Sequence, residues 1–521
     1  MSPALLHTPI RRAHVITPFG PGALLLTRNR VSAITCAPAT WMRSLPARAP
    51  GSVSLLDELT ITDRHLQAYC GVDRFIVPWA PSTDHPNKDT DWLVPAARFP
   101  LAEYCAHPDC QRLTYRSLAD ANEGRCNACA TPGTQRSRWP TFQVPVVLAC
   151  QAGHLSDVPW AEWLHKRPGA SCSRPDLRYR LGATADRPSL RCGTCKRTAT
   201  FGPDTTFPCP GQRPWLPHAD PELCTLLARP IERTSTTVYY PWQLSSLTIP
   251  IAGADNPLLT HALADNAVLR ALRALPRTTA LKEMVAAAAR IGIKTDETEL
   301  ARHLDALEQP PATGPRRADE LSALTSTAHP RRPHTALPDL VVEPQDVAAY
   351  RGTRLGDKLA GVSLVPRLRE TRVLAGFSRI EPTPADPDTG YRQLWGKPRP
   401  GHFAEHATNN WLPGYQVFGE GILLVLDPDA VAAWETKAAR SERLRAAAAA
   451  VVRQFEPIRP LPWLLAHTLA HLTMRAAAPQ AGYPLPAIRE RIYATDQRTA
   501  ALIYTAAGDV QGTLGGLGRV P

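Results

Sequence analysis

The sequence has no apolar run long enough to cross a bilayer. Its longest, such as Ala446–Val452 and Ile422–Leu426, fall far short of the roughly 20 residues a spanning helix needs. Residues Met1 to Arg12 lack a basic region followed by an apolar core, so no secretory signal is expected and the chain is assigned to the reducing cytoplasm. Acidic residues are in deficit, 47 Asp+Glu against 59 Lys+Arg, and the net charge of +12 makes a polyanion the first partner to consider. No cysteine occurs after Cys224. The glycine-rich loops at Phe19-Gly-Pro-Gly22 and Asp509–Gly518 lack the Gly-Lys-Ser/Thr ending of a phosphate-cradling ATPase loop, which argues against a motor in this chain.

What is abundant is proline, 53 of 521 residues, near double the usual ~5%. Long helices are therefore confined to a few stretches, and turns and extended connections dominate the rest. With 44% hydrophobic residues the chain is globular, and its length suggests roughly two to four domains.

Ten of the twelve cysteines lie between Cys105 and Cys224. Cys105 and Cys110 are separated by four residues, Cys126 and Cys129 by two, and fifteen residues join the pairs. Two such clips can wrap four thiolates around one Zn²⁺, and in a reducing compartment a metal explains them better than disulfides. Cys192 and Cys195 form another clip, with Cys209 and Cys224 following, and these four are expected to close a second site. Cys150-x₃-His154 suggests a third, with His165 and Cys172 as partners, and cross-pairing among the clusters stays open. Two Zn²⁺ ions are expected and a third is possible. Sites closed by four such ligands leave no open coordination position and are structural.

Catalytic zinc patterns fail. No His-x-Glu precedes a Pro-Cys-x-x-Cys, as nucleobase deaminases require. His467-Thr-Leu-Ala-His471 has metalloprotease spacing but Thr468 where the general base belongs, and reads as one face of a buried helix. A nuclease reading of Asp429 with Glu435-Thr-Lys437 fails because those residues follow a helix pattern.

Along the chain, residues 1–100 read as an N-terminal extended or β region and 101–245 as the metal-binding region. Residues 246–308 read as helical, 309–340 as a Pro/Arg-rich linker or mobile loop, and 341–521 as a mixed α/β domain. Helices are expected at His261–Leu275, Thr279–Arg290, Thr295–Glu308, Pro428–Arg440, Ser441–Gln454 and Leu461–Ala476. The fold class is α+β, multidomain: a zinc-ribbon-like, loop-rich N-terminal half, a helical middle and an α/β C-terminal part. Candidate nucleic-acid contacts are Arg11, Arg12, Arg213, Arg316, Arg317, Arg331 and Arg332.

A set of motifs in order spans nearly the whole chain. They include Thr17-Pro-Phe-Gly-Pro-Gly22, Val94-Pro-Ala-Ala-Arg-Phe-Pro100, Ala149-Cys-Gln-Ala-Gly-His-Leu155, Gly211-Gln-Arg-Pro-Trp215, Leu465-Ala-His-Thr-Leu-Ala-His471, Arg489-Glu-Arg-Ile-Tyr493 and Gly512-Thr-Leu-Gly-Gly516. By these motifs the sequence resembles the DrmB family, the zinc-containing partner of the helicase in the bacterial DISARM anti-phage system. The resemblance implies a non-catalytic subunit that pairs with a superfamily 2 helicase (DrmA-like) and helps it engage DNA with a single-stranded portion. It also implies a helicase-associated C-terminal domain. Related C-terminal domains carry a further cysteine cluster beyond the glycine loop. Two other readings remain: a nucleic-acid-processing metalloenzyme, and an assembly scaffold that binds only protein.

Overall fold

The structure, a computed structural model, describes residues 12–27, 30–43, 55–78, 95–117, 120, 124–129, 139–166, 172–216, 219–249, 251, 256–308, 316–326, 339–382, 392–394, 411–451, 459–506 and 516–517. Arg11, Arg331 and Arg332 lie outside these, as do the side chains of Arg12 and Arg316. Two compact units form. One comprises Met1–Pro50, Cys70–Leu244 and Val373–Tyr415, and the other Gly51–Tyr69, Ser245–Arg372 and Gln416–Pro521. Both mix helices and sheets, as the α+β reading expects.

In the first unit, frequent proline and glycine keep strands short, and the described residues form four small antiparallel sheets. One orders Leu113–Tyr115, Ala102–Cys105, Pro140–Gln143 and Gly124–Arg125. A second orders Leu155–Ser156, Val146–Ala149, Leu227–Glu232 and Phe207–Pro208. A third pairs Leu177–Arg180, Ser189–Cys192 and Thr198–Thr200, and the fourth pairs Leu24–Leu26, Ser32–Thr35 and Ala96–Arg98. Aromatic rings fill the gap that such short strands leave. Trp160, at the start of the helix Trp160–His165, meets Phe201 edge-on at 4.9 Å and Tyr179 at 5.4 Å.

The Phe19–Gly22 loop is a turn closed on its own unit. Gly22 sits at φ +84°, and a Cβ there would collide with the Phe377 ring. Arg379, fully buried, donates from Nη2 to the Gly22 carbonyl at 2.8 Å and from Nε to the Gly153 carbonyl at 2.8 Å. Its guanidinium lies over Trp215, 4.8 Å from the ring centroid.

The second unit contains the expected helices, with boundaries set by caps. The stretch read as one helix from His261 is two, Pro257–Asp265 and Ala267–Leu272, because the Asn266 side chain accepts from the amides of Val268 and Leu269 and restarts the turn. Arg277–Arg290 and Glu297–Glu308 follow and share an apolar core with them. Asp427 caps Pro428–Ala438, the helix Glu442–Val451 follows, and Gly482 at φ +73° ends Pro460–Ala481. That last helix packs Ala466, Ala470, Met474 and Ala477 on Ile488, Ile492, Ala501 and Ile503 of the antiparallel strands Ile488–Ala494 and Thr499–Thr505. Small alanines let the helix approach the sheet closely.

Two elements depart from the sequence reading. The segment read as a linker contains the helix Arg316–Thr325, which buries Leu321 and Leu324 at helical spacing. Prolines and arginines on either side of it dominate the composition and hide that stripe. The strand Leu359–Ser378 was not foreseen, because the charged run Arg367-Leu-Arg-Glu-Thr-Arg372 breaks the apolar pattern. Arg369, Glu370, Thr371 and Arg372 are nevertheless buried.

Burial is tolerated because the charges are matched. Arg491 donates to Glu320 through Nε and Nη2, each at 2.7 Å, and Nη1 lies 3.5 Å from Glu370. Glu370 also accepts from Arg372 Nε at 2.9 Å and from the Tyr504 hydroxyl at 2.9 Å. Burial pushes the Glu370 carboxyl up, but Arg372 and Arg491 outweigh it and hold the group below its ordinary range.

Glu320→Ala is expected to destabilise the second unit by about 3–5 kcal/mol, since it leaves Arg491 buried without its bidentate partner. Joint replacement of Glu320 and Arg491 by Leu and Met should cost less, and equilibrium urea unfolding separates the two outcomes. The depressed Glu370 stabilises the fold above its unfolded pKa, so that stability is retained at neutral pH and lost as pH falls below about 4 through its folded value. An acid unfolding titration in which Glu370→Gln shallows the loss checks this.

Candidate metal centres

Each side chain of the first set stands on the ribbon formed by Ala102–Cys105, Leu113–Tyr115 and Pro140–Gln143. Cys105 ends its strand, and Cys110 follows on a tight turn whose next residue, Gln111, takes φ +47°. Cys126 and Cys129 enter from the strand Gly124–Arg125. The sulfurs of Cys105 and Cys129 are 3.4 Å apart and those of Cys110 and Cys126 are 3.9 Å apart. Tetrahedral thiolates at ~2.3 Å from a zinc ion would stand about 3.8 Å from one another. The four residues expected together are thus together, and the donor set fits a tetrahedral thiophilic ion. The His107 amide donates to Cys105 Sγ at 3.4 Å and Arg178 Nη1 lies 3.6 Å from Cys110 Sγ, so donors already face the sulfurs.

The other two sets are regrouped. The sequence reading joined Cys192 and Cys195 to Cys209 and Cys224, and Cys150 and His154 to His165 and Cys172. The structure instead brings Cys150, His154, Cys209 and Cys224 together, and separately His165, Cys172, Cys192 and Cys195. Strand pairing is the reason. Val146–Ala149 lies beside Leu227–Glu232, and Phe207–Pro208 pairs with the other edge of Leu227–Glu232, so Cys150, Cys209 and Cys224 emerge at one end of one sheet. Leu177 pairs directly with Cys192, which carries the Cys192 clip to the opposite sheet beside Cys172.

In the second set, His154 Nδ1 lies 3.4 Å from Cys150 Sγ and 3.5 Å from Cys209 Sγ, near the ~3.6 Å a tetrahedral N/S pair would have. Its Nε2 is 2.8 Å from Glu222, which also takes Arg213 at 2.9 Å and Arg392 at 3.0 Å. With the Nδ1 lone pair turned to an ion among the sulfurs, Nε2 would carry the hydrogen and donate it to Glu222, as carboxylates orient metal-binding histidines. Hydrogen bonding from Cys209, opposed by burial, brings the Cys150 thiol down to about 4. Burial raises the Glu222 carboxyl, but His154, Arg213 and Arg392 overcome it and hold the group low. Gly211, at φ +65°, lets the chain turn back here, and a Cβ would strike the Glu222 carbonyl.

In the third set, the sulfurs of Cys172 and Cys192 are 3.8 Å apart and Cys195 Sγ is 3.3 Å from His165 Nε2. His165 Nδ1 lies 2.7 Å from the Ala161 carbonyl, one helical turn back, and donates to it, which fixes Nε2 as the ligand atom. Lys196 follows the clip at φ +61°, repeating the left-handed residue after Cys110. Burial raises the Cys192 thiol, yet the amides of Cys195 and Thr194 and the His165 ring bring it down to about 6. His165 thus completes a tetrad for which sequence offered it only as a candidate. Cys36 and Cys70 are buried and belong to none of these sets.

The basic candidates fare differently. Arg213 has a side chain only 7% exposed and is tied to Glu222, so it supports the second set and is withdrawn as an open phosphate contact. Arg317 stands on the helix Arg316–Thr325, paired with buried Glu320 at 3.4 Å and lying over Tyr493. Trp215, which closes the motif that contains Arg213, is fully buried and donates from Nε1 to the Gln393 carbonyl at 2.6 Å. Glu222 was missed; the one sequence signal was an acidic residue two positions before Cys224.

Comparison with known proteins places these tetrads inside a shared region. A family described as a domain of unknown function, DUF8724, matches residues 11–240. The chain is also similar to the DISARM protein DrmB of Bacillus paralicheniformis (strain ATCC 9945a / NCIMB 11709 / CD-2), 25% identical over 496 residues, which cover 88% of this chain and 81% of that protein.

Glu222→Gln should weaken metal retention at the second set by about 10–100-fold while the first and third sets keep theirs. Chelator-driven release followed with a metallochromic dye gives the three rates, and unchanged release of every ion would remove the support role assigned to Glu222.

Proposed function

We propose, from the support that the likeness to DrmB lends to membership of the DrmB family and to a role in DISARM anti-phage defence, that the chain is a non-catalytic, zinc-stabilised subunit of that system. In this reading it pairs in the cytoplasm with a separate superfamily 2 helicase and helps that motor engage DNA with a single-stranded portion. No described helix is long and apolar enough to cross a membrane.

The observation that carries the structural part is the ligand count. Each of the three tetrads offers four thiolate or imidazole donors within 4.8 Å of one another. Four protein ligands fill a tetrahedral shell and leave no position for substrate or an activated water. Zn²⁺ suits this mixture of thiolate and imidazole, and its binding would supply folding free energy to a region of short strands.

DNA engagement draws support from two exposed rings. Trp139 and Phe142 lie on the ribbon that bears the first tetrad, 41% and 52% exposed. Aromatic faces of this kind stack bases irrespective of sequence, and each stacked base is worth about 1–3 kcal/mol.

The chain alone is expected to turn over no ATP with or without DNA. It should co-purify with its helicase, and the complex should bind single-stranded DNA more tightly than the helicase does alone. Log affinity should fall linearly with log salt, by about 0.7 per phosphate contacted. Trp139→Ala with Phe142→Ala should weaken that binding about ten-fold or more and leave zinc content unchanged. Absence of salt-dependent DNA binding in the complex would favour a purely protein-binding scaffold, and ATP turnover or DNA cleavage by the chain alone would overturn the reading.

A further inference from the structure

Far from the cysteines in sequence, a fourth cluster of ligating atoms stands in the second unit. His467 and His471 occupy adjacent turns of the helix Pro460–Ala481, so their imidazoles project from one face. Glu490 lies on the strand Ile488–Ala494, where its neighbours on the same face, Ile488 and Ile492, pack into the core beneath that helix. Strand alternation therefore turns Glu490 toward the helix. His467 Nδ1 is 2.7 Å and His471 Nε2 3.5 Å from Glu490 Oε1.

These residues were read as a buried helix face, and the structure corrects that. The side chains of His467 and His471 are 33% and 51% exposed. Solvent reaches the set, while two of its atoms are shielded. His467 Nδ1 and Glu490 Oε2 are buried and have no hydrogen-bond partner of proper geometry among the described residues. A histidine–glutamate ion pair alone would align an N–H with the carboxylate. Here the short Nδ1···Oε1 approach lacks that direction, as it would if lone pairs on both atoms converged on a third body. The rings are also held: Trp463 stacks on His467 with centroids 4.7 Å apart, and His471 meets His467 edge-on at 4.6 Å.

We propose that His467, His471 and Glu490 form a binding site for a first-row divalent transition ion such as Zn²⁺, distinct in chemistry from the three thiolate-rich tetrads. Two imidazoles and one carboxylate make a harder donor set than thiolates, and three ligands leave coordination positions for water. Thr468 stands where helical two-histidine hydrolase sites carry the glutamate base, so the assignment is to metal binding and not to hydrolysis. The ion would join the helix to the strand on which it packs.

The test uses the full-length chain given only three equivalents of Zn²⁺, which the thiolate-rich tetrads take in preference to a nitrogen–oxygen site, then titrated with Co²⁺ and read by absorption and by metal analysis after gel filtration. The proposal expects one further ion per chain, with ligand-field bands and no thiolate charge-transfer band. His471→Gln, a change at an exposed position, should lower Co²⁺ affinity at least about ten-fold, as should Glu490→Gln. Circular dichroism confirms that the variants fold. Failure of the zinc-loaded wild type to take up the further ion would overturn the proposal, as would equal uptake by the folded His471→Gln chain. Zinc analysis before the titration reports on the thiolate-rich tetrads alone, so failure there and failure at His467, His471 and Glu490 are told apart.

Discussion

Four soft donors brought to one point, three times over, is the constraint on which the first unit depends. Its strands are too short for their ladders to hold register alone, and each tetrad joins segments tens of residues apart in sequence. An ion shared by such segments acts as a cross-link and a nucleus at once, because a preformed site does not exist in the unfolded chain. The fold answers with matching backbone devices. Gln111 and Lys196 adopt left-handed conformations directly after Cys110 and Cys195, which turns the chain back so that the clip's two sulfurs face the same centre. Neither is glycine, so each carries a cost of order 1 kcal/mol, which an ion held by the adjacent cysteines would offset.

The second unit solves the same problem by other means. It has long strands, alanine-rich helices and two apolar clusters, and it encloses a carboxylate–guanidinium network. Glu320 comes from a helix, Glu370 from a long strand and Arg491 from a third element, so the network fixes which pieces of the chain meet. Such an arrangement specifies a unique packing more than it adds stability.

These two solutions were unequally legible in the sequence. Cysteine spacing announced the first tetrad fully, since both clips are local and the loop between them is short. It failed to group the other eight ligands, because Cys150 meets Cys209 only through sheet pairing that no spacing rule encodes. Helices were read well where apolar residues recur at helical spacing, as in Arg277–Arg290, and caps such as Asp427 marked their starts. The run Arg367–Arg372 misled for a physical reason: charge in sequence reads as solvent exposure, and only tertiary partners reveal that Arg372 and Glu370 neutralise each other inside a strand. His467 and His471 were placed on the correct helix but judged by the missing base at Thr468. Their carboxylate partner comes from a strand about twenty residues on, out of reach of any local motif.

The same distinction bears on what net charge can say about partners. A formal charge of +12 suggests a surface made for polyanions. Yet Arg98, Arg369, Arg372, Arg379 and Arg491 are buried, and Arg213 is nearly so. Arg379 rests on carbonyls and aromatic faces, with no carboxylate on it among the described residues, and burial brings its guanidinium down to about 9. Arginines of this kind serve the interior through five fixed donors, and a phosphate backbone never meets them. The case for DNA therefore gains little from bulk composition. It rests on particular exposed groups, the rings at Trp139 and Phe142 above all, held on a ribbon whose shape the first tetrad sets.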